Sequence, residues 1–169
     1  MSRILPLGGL EITDAFFAQL EAEDRELRFD RFEHADGIAV GQHMLRAASE
    51  RGQSIAGALW IGGQTVFSFA LPGTSADNDV WLARKAAVVR RYDASSFLAA
   101  ARWSGLGAAP GAEVGVDTIA YAFAGGAVPI RIGATQVGVV GATGVNDFVE
   151  HDLVVEALRA HLSGTAGGA

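Results

Sequence analysis

The sequence contains no cysteine. Disulfide bonds, thiolate metal ligands and a cysteine nucleophile are therefore excluded, although the cellular compartment is left open. Histidine and methionine are also scarce, with four and two copies in 169 residues. Any metal or cofactor that needs a strong protein ligand therefore has few residues to choose from.

Basic residues are too few and too scattered to form a nucleic-acid-binding surface. Thirteen Lys and Arg stand against nineteen Asp and Glu, which gives a net charge of −6 and a pI of about 5.1. Neutralising a phosphate backbone needs a concentrated patch of Lys and Arg. The sequence predicts no nucleic-acid partner.

Long hydrophobic runs are missing as well. The apolar stretch Ile4-Leu5-Pro6-Leu7 is too short and too broken for a signal peptide or a membrane span. We therefore expect a cytoplasmic protein without membrane contact.

The common catalytic motifs are absent too. The sequence has no G-x-S-x-G, no H-E-x-x-H, no P-loop and no G-x-G-x-x-G after a strand. These absences weigh against the common hydrolase and nucleotide-binding classes.

What the sequence does have is enough apolar material for one core, since half of its residues are hydrophobic. We expect a single domain over residues 1–162, made of an accessory N-terminal helix at about 11–27 and a core at about 33–162. A disordered tail is expected over 163–169.

Gly62-Gly63 is the clearest turn signal in the chain. The segments 55–61 and 64–71 flank it, and two glycines tolerate the positive φ angles of a tight hairpin. Alternation places Thr65 and Phe67 on the face of the second strand that helices cover.

The other segments complete an order α, α, β, β, α, α, short strand, β, β, α. Tight connections between the strands predict a mainly antiparallel sheet. The expected helices are 33–51, one that begins near Ala76, one from Ser95 or Ser96 to Trp103, and 146–162. The remaining expected strands are 127–132 and 136–144. The segment 117–123 is expected to be either a strand or turns.

The most unusual residue combination lies in the stretch 71–85, LPGTSADNDVWLARK. Pro72-Gly73 ends a strand, and Thr74 or Ser75 can cap a helix that begins near Ala76. Helical spacing places a group of polar residues around an indole on the outer side of this helix. This group is Asp77, Asn78, Trp81, Arg84 and Lys85.

Two interpretations of that group stay open. A solvated face with ion pairs at helical spacing is one of them. A binding site or a subunit contact explains Trp81 better, because an exposed indole often marks an interface or a pocket wall.

The same stretch resembles the PGTSPDNDxWxxRK signature of an uncharacterised branch of the haem-degrading-domain superfamily, whose better-known members are the GlcG and HbpS-like proteins. Two more segments are similar to superfamily motifs: Gly125 to Ile130, and the glycine-spaced strand Val137 to Gly141. One segment departs from them, because Trp60-Ile61 stands where the superfamily usually has an acidic residue. Chemistry that depends on that acid is therefore not carried over.

The resemblance implies a profilin-like three-layer α/β/α sandwich on a mainly antiparallel sheet of about five strands. It also implies haem, or a related small planar ligand, as a possible cofactor or substrate. We expect a homo-oligomer, because the glycine-rich final strands, the edge strand at Pro129 and the Trp81 face are surfaces that a monomer would leave uncovered, and the resemblance implies the same. Whether the protein is an enzyme is left open.

Three residues are candidate metal or haem ligands: His151, His43 and Asp147. Asp147 and His151 are four residues apart on the last helix, within reach of one metal or one proton. The simpler interpretation is an aspartate at a helix start that hydrogen-bonds an imidazole. His34 and His43 lie nine residues apart, about half a turn out of phase, and cannot hold one metal from their helix.

Two functional hypotheses follow. In the first, the protein binds or degrades haem, with His151, His43 or a methionine on the iron and Arg84, Lys85 or Arg131 on the propionates. In the second, it is a non-enzymatic assembly or interaction module, with the helix that carries Trp81 at a subunit interface.

Overall fold

The fold is taken from a computed structural model, which describes residues 2–5, 9–106 and 109–166. The strands are β1 (Ser2–Ile4), β2 (Glu11–Thr13), β3 (Ala56–Ile61), β4 (Gln64–Ala70), β5 (Ala127–Ile132) and β6 (Thr135–Thr143). The helices are α1 (Asp14–Glu26), α2 (His34–Glu50), α3 (Ala76–Tyr92), α4 (Ser96–Gly105) and α5 (Asp147–Ala166).

The core of the molecule is a four-stranded antiparallel sheet in the order β4-β3-β6-β5. Helices α2 and α5 pack on one face, and α3 packs on the other with α4 beside it. The expected α/β/α sandwich is therefore confirmed. No helix in the described ranges is long and apolar enough to cross a membrane.

The two largest hydrophobic clusters of the described residues follow from these layers. The larger one lies between the sheet and the α2–α5 layer and includes Met44, Leu59 and Leu158. A second one forms around α4, where Phe97 packs with Leu20 of α1. The second cluster attaches the N-terminal part of the chain to the layered sandwich.

The sheet is one strand smaller than expected. Phe29 contributes one parallel bridge to Ile132 at the outer side of β5. Pro129 lies in β5, which is an edge strand as its missing N–H requires. The separate hairpin of β1 and β2 was not predicted, because three-residue strands carry too little alternation to detect.

The β3–β4 hairpin forms as predicted, with Gly62 at φ +57° in its turn. One detail of the prediction was wrong. The pairing shifts between Leu59 and Trp60, so that Val66 is an extra residue in β4. Thr65 is therefore exposed instead of sharing the covered face with Phe67.

The segment 117–123, expected as a strand or as turns, forms turns in which the Asp117 carbonyl accepts from the backbone N–H groups of Ala120 and Tyr121. One expected boundary differs. The last helix continues to Ala166 instead of ending at Ser163-Gly164. The rest of the expected tail, 167–169, lies outside the described residues.

Candidate functional site

The start of α3 is held by a reciprocal cap. The Ser75 side chain accepts from the backbone of Asn78, and the Asn78 side chain accepts from the Ser75 N–H at 2.8 Å. Asp77 lies in the same first turn and is exposed, where it favours the positive end of the helix dipole. The Asn78 side chain therefore caps the start of α3 and stands apart from the side chains of Trp81, Arg84 and Lys85.

Trp81 and Arg84 form a stacked pair on α3. The guanidinium carbon of Arg84 lies 4.6 Å from the centroid of the half-buried Trp81 ring. Arg84 Nη2 also donates to the carbonyl of Thr118 at 2.8 Å. The guanidinium therefore fixes the indole against the turn segment that follows α4.

Lys85 was expected on the outer polar side of α3, and this was wrong. It is only 2% exposed, and its Nζ lies 2.5 Å from Glu150 Oε2 on α5. Glu150 Oε1 in turn accepts from the N–H groups of Gly144 and Val145 at 2.7 and 2.9 Å. Burial of the cation is possible because this carboxylate neutralises it and is itself fully hydrogen-bonded.

The glycine pair before β5 makes room for this arrangement. Gly126 has φ +111°, and a Cβ there would lie 2.5 Å from the Ala142 carbonyl oxygen and 3.1 Å from Lys85 Nζ. Gly125 donates its N–H to Asp147 Oδ2 at 2.9 Å. The Gly-Gly motif thus brings a backbone segment close to the lysine and to the start of α5.

A cavity of about 330 Å³ opens between α3 and the first turn of α5. Its volume lies at the lower end of the range for small-molecule sites. The residues that give its walls their chemistry are Trp81, Lys85, Asn146, Asp147, Phe148 and Glu150.

Among the residues of this cavity, Asp147 has a carboxyl group with a raised pKa. Burial is the largest influence and raises the pKa of its carboxyl group, as does the nearby Glu150 charge. The Gly125 N–H and the Lys85 and His151 charges oppose this, but the net pKa is raised. Asp147 is thus poised to hold or accept a proton more readily than an ordinary aspartate.

His151 and Asp147 do not form the pair considered from the sequence. His151 is 1% exposed, and its Nε2 lies 2.9 Å from Glu23 Oε2 of α1. Asp147 is engaged by the Gly125 N–H instead. The two side chains therefore belong to different environments, one in the core and one in the cavity.

The other candidate ligands also have partners away from the cavity. His43 Nε2 lies 3.2 Å from Glu156, which also binds Arg51. Arg131, a candidate for propionates, is buried between Asp93 and Asp24. Among the described residues no group of three or more His, Cys, Asp or Glu could hold a metal.

Glu150 is the site residue that sequence reasoning missed. A signal was present in α3, because Leu82, Lys85 and Val89 follow apolar helical spacing. A lysine inside such a stripe requires a buried acidic partner. The sequence offered no means of choosing which carboxylate that partner is.

The fold and the cavity together define a profilin-like α/β/α domain with a ligand-sized site at the junction of α3 and α5. A family model described as haem-degrading protein HbpS-like matches residues 32–159. A UPF0303 protein of Streptomyces coelicolor is 39% identical over 143 residues, which cover 84% of this chain and 90% of that protein. The chain therefore belongs to the HbpS-like haem-degrading protein family.

Solved structures support the same fold. The Ybr137w protein superposes with a TM-score of 0.80 at 24% identity, over 91% of both chains. A PduOC–heme complex superposes with a TM-score of 0.64 at 14% identity, over 76% of this chain and 94% of that one. At these identities the likeness concerns the fold alone.

Proposed function

We propose that the protein binds a small planar ligand, haem or a related tetrapyrrole, in the cavity beside Trp81. The observation that carries this proposal is a half-buried indole next to a buried lysine in one ligand-sized cavity. An aromatic wall suits a flat ring, and a cation suits its acidic substituents. The family membership and the heme-bound structural relative give additional support.

The cavity suits the macrocycle of haem, but it does not suit ligation of the iron by the protein. The residues that line the cavity in the described part of the chain include no His, Cys or Met. Ligation of iron by the protein therefore does not fit this cavity, and we derive no degradation step from it. A macrocycle would enter the cavity by one edge. Trp81 would then contact the face of the ring, and Lys85 would contact its periphery.

A hemin titration followed at the Soret band tests this proposal. Trp81→Leu should weaken binding at least about tenfold, because the stacking surface is lost. Trp60→Leu is the matched control, since Trp60 also has an arginine over its ring, Arg90 at 5.4 Å, but does not line the cavity. Equal affinities of Trp81→Leu and the wild type, or no saturable Soret change at all, would contradict the proposal.

The same titration separates the cavity from an iron site at His43. His43 is partly exposed on α2, on the opposite face of the sheet from α3. His43→Ala should leave hemin affinity unchanged if the cavity is the binding site. Loss of the Soret shift in His43→Ala alone would place haem on that histidine instead.

A second candidate, an assembly module, is favoured by a specific surface feature. Val80 precedes Trp81 on α3 and is 54% exposed, and β4 is an open edge of the sheet. Exposed apolar side chains and unpaired strand edges are the surfaces that oligomers cover. Ligand binding and assembly are compatible.

A further inference from the structure

Lys85 keeps hydrogen-bonding capacity that the protein does not use. An ammonium group has three N–H donors. Two of them have acceptors, Glu150 Oε2 at 2.5 Å and the Ala142 carbonyl at 3.4 Å. In the described part of the chain the third has none, and Lys85 lines the cavity. A buried donor of this kind favours a ligand that supplies an acceptor.

Asp147 has unused capacity on the same cavity. Its Oδ2 accepts from the Gly125 N–H at 2.9 Å, whereas Oδ1 has no hydrogen bond within the described ranges. The side chain is half-buried in the first turn of α5. When it is protonated, this oxygen becomes a donor beside the donor of Lys85.

The backbone at this end of α5 adds to the preference for an acceptor. Asn146 caps the helix by accepting from the Val149 N–H at 3.1 Å, and its carbonyl accepts the first intrahelical bond, from Glu150. The N–H groups of Asp147 and Phe148 precede that bond and have no partner in the helix. They give the cavity a positive partial charge on the side of α5.

We propose that the cavity binds its ligand through a carboxylate, with one oxygen accepting from Lys85 and the other sharing a proton with Asp147. At a pH above the pKa of Asp147, each ligand carboxylate then takes up one proton from solvent as it binds. This inference rests on the proposed function, because it names the ligand group that the cavity beside Trp81 selects. A ligand cation would leave the Lys85 donor unused, and a neutral amide would need no proton.

The charges that face Asp147 agree with this assignment. Lys85 lies on α3, while Glu150 and His151 lie on α5; Glu150 neutralises Lys85, and Glu23 faces His151. An unprotonated Asp147 would therefore repel a carboxylate oxygen placed beside it, and protonation removes that repulsion. The pKa of Asp147 is already raised by burial in the free protein, which lowers the cost of protonating it. Affinity should fall as pH rises above this pKa.

The test uses three flat probes of one size: benzoate, benzamide and benzamidinium. Binding is followed by NMR titration of the full chain between about pH 5 and pH 8. Benzoate should bind tightest, with an affinity that falls by up to about tenfold per pH unit, because one proton is coupled to binding. Calorimetry in two buffers of different ionisation enthalpy should show the proton uptake directly.

Two variants assign the coupled proton. Asp147→Asn provides a permanent N–H donor, so benzoate binding should lose its pH dependence and its proton uptake. Asp152→Asn removes an exposed carboxylate from the same helix and is the matched control, which should behave like the wild type. Tighter binding of benzamidinium or benzamide than of benzoate would overturn the proposal, as would pH dependence that survives in Asp147→Asn.

The hemin titration distinguishes the two proposals from each other. Hemin binding that depends on Trp81, without saturable benzoate binding, would overturn the carboxylate assignment and leave the proposed function standing. Benzoate binding that depends on Asp147, without hemin binding, would support the assignment while contradicting a tetrapyrrole ligand.

Discussion

At the scale of single residues, the Lys85–Glu150 ion pair is the feature on which the site depends. Both side chains are almost completely buried, and the carboxylate also holds two backbone N–H groups at the β6–α5 turn. Two charges taken out of water offset each other only as a pair. Removing one of them should therefore cost much more than removing a surface charge.

We expect Lys85→Met to lower the free energy of unfolding by about 3–5 kcal/mol, because Glu150 would be left as an uncompensated buried charge. Urea denaturation measures this. Arg51→Met is the matched control: its pair with Glu156 has 45% and 40% exposed side chains, and its loss should cost about 1 kcal/mol or less. Similar losses of unfolding free energy in the two variants would show that the buried pair stabilises the protein no more than the exposed pair does.

Glu23 provides a pH-dependent prediction. Burial is the largest influence and would raise its pKa, but hydrogen bonds from His151 and Gln19 and the charges of His151 and Arg159 lower the net pKa below that of an ordinary glutamate. The stabilisation is therefore present above the pKa of the unfolded-state glutamate and is lost as pH falls through the lowered folded-state pKa. Glu23→Gln should flatten the acid limb of a plot of unfolding free energy against pH.

Denaturation series between about pH 5 and pH 3 measure that limb. Glu50→Gln, which removes an exposed carboxylate from α2, serves as the control and should keep the wild-type slope. An unchanged slope in Glu23→Gln would mean that Glu23 does not carry the acid dependence.

At the scale of elements, the glycine pair before β5 decides whether the site can form. Gly125-Gly126 passes so close to β6 and α5 that side chains do not fit. Gly126→Ala should lower the free energy of unfolding by about 3 kcal/mol or more. Alanine is strained at the positive φ angle of this position, and its Cβ would also clash with the backbone of β6. Thermal unfolding measures the loss.

Gly63→Ala is the control for that variant, since a Cβ there meets nothing within 4 Å. It should change the unfolding free energy by no more than about 0.5 kcal/mol. Equal melting temperatures of the two variants would contradict the role of the Gly125-Gly126 segment.

Elements with strong local signals could be predicted from the sequence, and pairings across the chain could not. Helix α3 begins at Ala76 after a Ser75 cap because capping chemistry lies within four residues. Lys85 was misplaced because its partner, Glu150, is 65 positions away. The bulge at Val66 was missed for a related reason, since strand register depends on the partner strand as well as on alternation.

At the scale of the whole molecule, two surfaces are suited to contact with another copy of the chain: the edge of the sheet at β4 and the α3 surface at Val80, one of several exposed apolar residues. We predict a homo-oligomer, because a monomer leaves both in water. Sedimentation or light scattering at micromolar concentrations should give a multiple of 17.5 kDa. A mass of one chain throughout that range would rule out the oligomer.

The central claim is that the cavity between α3 and α5 is where the ligand binds, and amide NMR with zinc protoporphyrin, a diamagnetic haem analogue, tests it most directly. The N–H groups of Gly125 and Gly144 report on the cavity because they donate to Asp147 and Glu150. Those of Gly62 and Gly133 lie in hairpin turns away from it. We predict that the amide resonances of Gly125 and Gly144 shift saturably on titration, whereas those of Gly62 and Gly133 do not change. Shifts of Gly62 and Gly133 without shifts of Gly125 and Gly144 would contradict the claim.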